Sequence, residues 1–306
     1  MNPTPWEVLN PLSLADGRVL LQRRWPAQGR RRGIVLLVHG LGEHVGRYAH
    51  VAAWFSAHGF EVRGHDQYGH GRSPGKRGTL DRPTRLLDDL AEVAASTRTG
   101  MEKGERLLLL GHSLGGLVAA RAVALRRVTP DALVLSSPAL ASGMRREQRW
   151  LAALLAHIAP GFTIANGLDT SRISHDAAEV VAYRSDPQVH DRISGRLAHF
   201  IATSGPPTME AARDWQVPTL LLFAGDDHLV DAEGSRRFAA AASPGVVQAR
   251  EFAGLYHELF NEREPDRGDV FGVLCDWLEA QCPRDAGGVY PSQRPHVVVD
   301  PHRSRI

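Results

Sequence analysis

The chain has 306 residues, with 36 basic against 34 acidic side chains, a formal net charge of +2 and 43% hydrophobic residues. That composition belongs to ordinary globular proteins and argues against disordered or collagen-like classes. So small a charge also argues against a surface built to bind nucleic-acid phosphates, and the length suits one large domain or two modest ones.

In chain order, residues 12–15 and Val19–Trp25 flank Asp16-Gly17, a pair suited to a hairpin turn because glycine tolerates positive φ. Residues 33–39 are a nearly unbroken apolar run, as expected of a strand buried on both faces of a parallel sheet. A helical pattern follows at 48–58, then a strand at 60–66 and a helix at 85–97, with Leu86, Leu87, Leu90 and Val93 on one face. Next come a strand at 106–110, a helix at 114–125 and a strand at Ala132–Ser136. Farther on, strands are expected at 218–224 and 246–252 with a helix at 232–242 between them, and a last helix at 268–280. Strand alternating with helix is the pattern of an α/β fold with a mainly parallel sheet.

The alternation breaks at 138–217, which contains no convincing buried strand. Trp150, Leu151, Leu154, Leu155 and Ile158 share one face of an amphipathic helix there, and polar helical pieces follow around 176–183 and 190–203. We read this stretch as a helical insertion over the carboxyl edge of the sheet. The expected organisation is a core made of 1–137 and 218–282, a cap at 138–217 and a tail at 283–306. Pro283, Gly287-Gly288, Pro291, Pro295 and Pro301 interrupt that polar tail, which is expected to be poorly ordered. Cys275 and Cys282 lack the company of a zinc site or a disulfide framework. The first residues show neither a basic region nor an apolar run of a signal peptide, and no stretch is long and apolar enough to span a membrane. A cytoplasmic location is the default expectation.

The chemistry is written in Gly111-His112-Ser113-Leu114-Gly115-Gly116, a G-x-S-x-G pattern between an apolar strand and an apolar helix. Such a turn lifts a serine hydroxyl above the sheet and aims helix N-terminal amides at a developing oxyanion. Serine needs a base, and the base needs an orienting acid. Asp226, Asp227 and Asp231 follow the strand at 218–224 and compete for that orienting role. His257, just after the strand at 246–252, is a better base than His228, which shares a loop with the acids. His39-Gly40 ends the most apolar strand, a place that commonly shapes an oxyanion loop. His39, His44, His65 and His70 are close in sequence but have no metal-ligand spacing, so no metal is expected. Asp66 and His70, in a Gly-rich turn without the ending of a phosphate loop, are given a structural role.

Taken together, His39-Gly-Leu-Gly-Glu-His-x-x-Arg-Tyr48, Asp66-x-x-Gly-His-Gly-x-Ser73, Gly-His-Ser113-Leu-Gly-Gly, Asp-His-Leu-Val-Asp231 and Tyr-His257-Glu resemble the monoacylglycerol lipase and lysophospholipase branch of the α/β-hydrolases. That branch overlaps the group called serine aminopeptidases, and the resemblance covers about 12–278. It implies a mainly parallel eight-stranded sheet with helices on both faces and a helical cap. It implies Ser113, His257 and, among the three acids, Asp227 as the triad, with the Leu41 and Leu114 amides as oxyanion donors. It further implies Glu43 and Arg47 as head-group contacts, with Tyr183 as a weaker candidate, and no cofactor.

The expected activity is hydrolysis of lipid-like carboxylic esters, monoacylglycerol or lysophospholipid, through an acyl-enzyme. The substrate partner is a small lipid ester; no nucleic acid is expected, and the cap could touch a membrane surface transiently. For the apolar helix face, an acyl-chain trough competes with simple packing of the cap on the core. Alternative readings are a short-chain carboxylesterase or thioesterase, a prolyl-type aminopeptidase, and a non-catalytic binding protein on the same fold.

Overall fold

The computed structural model describes residues 7–243 and 245–283. The expected tail, apart from Pro283, lies outside the described residues. Strands β1 (Val8–Ser13) and β2 (Val19–Trp25) pair antiparallel from Val8 opposite Arg24 to Ser13 opposite Val19, closing the hairpin around Asp16-Gly17. Then β3 (Gly33–Val38), α1 (Ala49–Ala57), β4 (Phe60–His65), α2 (Arg85–Thr99), β5 (Arg106–His112), α3 (Leu114–Ala124) and β6 (Ala132–Ser136) alternate as expected. Residues 138–217 hold α4 (Arg146–Ile158), β7 (Thr163–Ala165), α5 (Ala177–Ser185), β8 (Arg192–Ser194) and α6 (Gly195–Glu210). The chain returns through β9 (Thr219–Ala224), α7 (Glu233–Ala241), β10 (Val247–Phe252) and α8 (Asp266–Gln281). The eight-stranded sheet runs β1-β2-β4-β3-β5-β6-β9-β10, with β2 antiparallel to both its neighbours and every other pair parallel.

Side-chain alternation explains the layers. Ile34, Leu36 and Val38 of β3 point into one core with Leu107 and Leu109 of β5, while Val35 and Leu37 point into the other with Leu108 and Leu110. The first core is closed by α2, α3, α6 and α7 and the second by α1 and α8. Both faces are covered, so β3, β5, β6 and β9 carry apolar side chains on both sides, and each fully buried Leu, Ile or Val contributes about 1.5–3 kcal/mol.

The two halves of 138–217 differ. Helix α6 packs against α3 and α7, and its Leu197, Phe200, Ile201 and Met209 join the sheet's first core. Helix α4 packs on α6, with Leu155 against Gly195, but its apolar stripe faces outward. Trp150 and Ile158 are each 69% exposed, Leu151 and Leu154 are exposed too, and only Ala152 is buried. Of the expected stripe only Leu155 turns inward, against α6, so simple packing on the core does not account for Trp150, Leu151, Leu154 and Ile158. The short antiparallel pair β7–β8 was not foreseen, because three-residue strands are too short to carry a periodic signal. Among the described residues no helix is long and apolar enough to cross a membrane.

Candidate active site

Parallel strands deliver the candidate residues to one sheet edge, because the segments after β3, β5, β9 and β10 all emerge at their carboxyl ends. After β5 the chain reverses sharply into α3. Ser113 sits at φ 53° and ψ −120°, a left-handed conformation that L-residues rarely adopt. Such a residue stores about 1–3 kcal/mol and persists only where its surroundings dictate it. Here the Ser113 N–H donates to the Ser136 carbonyl at 3.0 Å, and its own carbonyl accepts from Leu117 and Ala139, each at 3.0 Å. Gly115 makes the turn possible: a Cβ there would collide with the Val38 and His39 carbonyl oxygens.

His257 lies on the loop after β10 and is 3% exposed. Its Nδ1–H donates to Asp227 Oδ2 at 2.7 Å, and its ring packs 4.7 Å from that of His112, the residue before Ser113. The other Asp227 oxygen accepts the Leu229 and Val230 amides at 2.8 and 3.0 Å. Burial alone would raise the Asp227 carboxyl, but the His257 charge, its hydrogen bond and the two amides outweigh it and hold the group below its usual range. Burial likewise works against a charged His257, yet Asp227, with Glu258 and Glu43, leaves it above its ordinary value. The rival acids are used elsewhere: Asp226 is 53% exposed on its ion pair with His228, and Asp231 accepts from the Glu233 amide at the start of α7. His228 also meets Arg172, away from the core.

Leu41 follows β3, and Leu114 is the first residue of α3, whose amide has no intrahelical acceptor. Among the described residues neither of these amides donates to a protein acceptor. The preceding His39 is a neutral strut: Nε2 accepts from the Gln67 amide at 2.9 Å and Nδ1–H donates to the Gly40 carbonyl at 2.8 Å, while burial holds its pKa well down. Burial also takes His65 to about 4 and His112 to about 3. Asp66 accepts the Val45 and Arg72 amides and so ties two loops together. His44 pairs with Asp186 at 2.9 Å.

Glu43 and Arg47 turn toward protein groups. Glu43 Oε1 accepts from the Gly40 amide at 2.5 Å and the Tyr48 hydroxyl at 2.6 Å, and Oε2 accepts from Arg47 at 2.6 Å. Arg47 also makes a bidentate pair with Glu258, 2.7 Å on each side, and its guanidinium lies 4.5 Å from the centre of the Tyr183 ring. Glu258, Tyr48 and Asn261, which donates to Glu258 at 2.7 Å, were missed from sequence. Glu258 stood in plain view beside His257, but nothing local announces its partner. Two further contacts bind the 138–217 stretch here: the Glu258 amide donates to the Ile173 carbonyl, and the His190 amide to the Gly42 carbonyl, each at 2.8 Å.

The family model described as serine aminopeptidase, S33, matches residues 29–264. A monoacylglycerol lipase of Mycolicibacterium smegmatis is 33% identical over 260 residues, covering 83% of this chain and 90% of its own. The crystal structure of a Paleococcus ferrophilus monoacylglycerol lipase is 35% identical with a TM-score of 0.78, covering 86% of this chain and 99% of that one. A soluble variant of the Saccharomyces cerevisiae monoglyceride lipase, solved with a substrate analogue, superposes with a TM-score of 0.84 at 24% identity, over 92% and 97% of the two chains. Sequence and fold agree, and the chain belongs to the serine aminopeptidase S33 family of α/β-hydrolases.

Proposed function

We propose that this chain is a serine hydrolase of lipid-like carboxylic esters, with monoacylglycerol as the leading substrate class and lysophospholipid next. The observation that carries the proposal is the buried His257–Asp227 bond set beside the strained Ser113 turn. In this reading Asp227 fixes the tautomer with Nδ1 protonated, so Nε2 takes the Ser113 proton as the oxygen attacks the ester carbonyl. The Leu41 and Leu114 amides receive the oxyanion, and loss of one such donor costs about 3–4 kcal/mol of transition-state stabilisation. Water then releases the acyl group with His257 again as base. The similar monoacylglycerol lipases support the lipid assignment.

Residues 138–217 act as the cap in this proposal, and α4 as the part that meets a lipid surface. Trp150, Leu151, Leu154 and Ile158 are exposed beside Arg145, Arg146 and Arg149, the arrangement of a helix that lies in a membrane interface. A cytoplasmic location belongs to the same proposal and is checked by cell fractionation. The main test is labelling by a fluorophosphonate, which should modify the wild type and spare Ser113→Ala. A panel of monoacylglycerols, lysophospholipids, short esters and proline amides then ranks substrates. Absence of wild-type labelling would overturn the enzyme assignment, and preference for acetyl over long acyl chains would overturn the lipid one.

A further inference from the structure

Five side chains beside His257 form one buried polar unit. Glu43, Arg47, Tyr48, Glu258 and Asn261 are all below a tenth exposed. Arg47 lies between two carboxylates that belong to separate loops, Glu43 on the loop after β3 and Glu258 next to His257, 211 positions from Arg47 along the chain. A guanidinium held bidentately by one carboxylate through both terminal nitrogens, one of which also donates to a second carboxylate, has a fixed plane, which lysine could not reproduce. An isolated charge so deep would be costly, and the pairing is what makes burial tolerable.

The unit reaches the reacting centre at two points. Glu43 holds the amide of Gly40, the residue before Leu41. Gly40 is squeezed between that carboxylate and the nucleophile: a Cβ there would lie 2.7 Å from Glu43 Oε1 and 3.3 Å from Ser113 Cβ. At the other point, Glu258 is covalently next to His257 and its carboxylate is gripped on both oxygens. The oxyanion loop and the histidine loop therefore share one rigid clamp. Each carboxylate already accepts three hydrogen bonds from protein groups, Tyr48 and Asn261 adding to those from Arg47 and the Gly40 amide.

We propose that Arg47 is a positioning residue for the hydrolytic reaction: by holding Glu43 and Glu258 together it keeps the Leu41 amide and the His257 ring in register with Ser113. It acts on the chemical step and not on substrate affinity. The inference rests on the hydrolase assignment above. It places Glu43 and Arg47 behind the site, where the resemblance to known enzymes suggested head-group contact.

The test compares Arg47→Met, Arg47→Lys, Glu258→Gln and Glu43→Gln with wild type in steady-state turnover of a soluble p-nitrophenyl ester, in the rate of fluorophosphonate labelling and in the pH profile of kcat/KM. Arg47→Met should lower kcat and the labelling rate by about 10²-fold while KM changes little, the size expected for misplacing a catalytic group by about 1 Å. Arg47→Lys should recover only part, because charge returns without the fork. The charged and titratable groups around His257 are Asp227, Glu258 and Glu43, with His112 and Arg47. Removing the Arg47 charge leaves two carboxylates unopposed near His257, so the acid limb of the profile should move to higher pH, whereas Glu258→Gln should move it lower. A framework role alone would lower stability and move the limb through the lost charge, but it would leave kcat and the labelling rate of the folded variant at wild-type values.

A raised KM at unchanged kcat would restore the head-group assignment and overturn the inference. Wild-type turnover and labelling in Arg47→Met would overturn it as well. Should that variant fail to fold, Arg47→Lys and Glu258→Gln decide, each with its kcat and pH limb. Failure of the underlying hydrolase assignment shows differently, as no labelling of the wild type at all.

Discussion

Replacing Asp227 with asparagine isolates what the carboxylate does for His257. Asparagine keeps an oxygen for the Leu229 and Val230 amides, so the loop retains both bonds. Its amide nitrogen then faces His257 Nδ1 as a donor, and the ring answers by accepting at Nδ1 and carrying its proton on Nε2. That tautomer cannot take a proton from Ser113. The expected loss in kcat is about 10⁴-fold, near 5.5 kcal/mol of activation free energy. Asp227 and its neighbours also hold His257 above its ordinary pKa, and catalysis needs the neutral ring, so the acid limb of any residual activity should fall to lower pH. Asp227→Ala adds a folding defect, because it orphans two amides and a ring nitrogen at about 1–3 kcal/mol each. The assay is hydrolysis of a soluble ester across the neutral pH range, alongside thermal melting. Retention of more than about a tenth of wild-type turnover in Asp227→Asn, or a larger loss in Asp226→Asn, would refute the reasoning.

Two more outcomes are expected. Ser113→Gly should melt higher than Ser113→Ala, both being inactive: glycine relieves the positive-φ strain of about 1–3 kcal/mol and gives back about 0.5–1 kcal/mol in unfolded-chain entropy. Equal melting temperatures by calorimetry would mean that the strain is no larger than the entropy glycine gives back, about 0.5–1 kcal/mol. Trp150→Glu with Ile158→Glu should weaken vesicle association in a sedimentation assay, since each apolar side chain contributes about 1.5–3 kcal/mol when it leaves water. Turnover of a soluble short ester should be unchanged, and undiminished vesicle binding would count against α4 as the contact.

Much of the architecture is legible from sequence because burial on both faces leaves an unmistakable mark. The runs that became β3, β5 and β9 are apolar without a break through residues 34–38, 107–110 and 220–224, and the strand–turn–helix around Ser113 lies entirely within a few residues. The choice among Asp226, Asp227 and Asp231 was open from the residues themselves, since all three follow the same strand. In the structure it is the Asp227 carboxylate that meets His257, with Asp226 turned to solvent. The destination of Arg47 was hidden for a different reason: its partner is fixed by the sheet's topology, not by spacing. Helix α4 shows a third limit. Periodicity tells which residues share a face, and only packing tells whether that face looks inward. Helix α6, polar at its start and carrying Pro206 and Pro207, nevertheless contributes to the sheet's core.

Two of the bridges from residues 138–217 to the core constrain how the proposed substrate's acyl chain could be admitted. Ile173 is held by the residue after His257 and His190 by the loop carrying Leu41, so the middle of this stretch is moored to the reacting groups themselves. Its later part is embedded with α3 and α7. Any large swing there would drag the triad or the oxyanion loop out of place. Helix α4, attached mainly through α6, has neither tether. In the proposed enzyme α4 is the part of this stretch that could shift without disturbing Ser113, Asp227, His257 or Leu41, a door hinged on one side only. Altering α4 should therefore retune chain-length preference without rebuilding the chemistry.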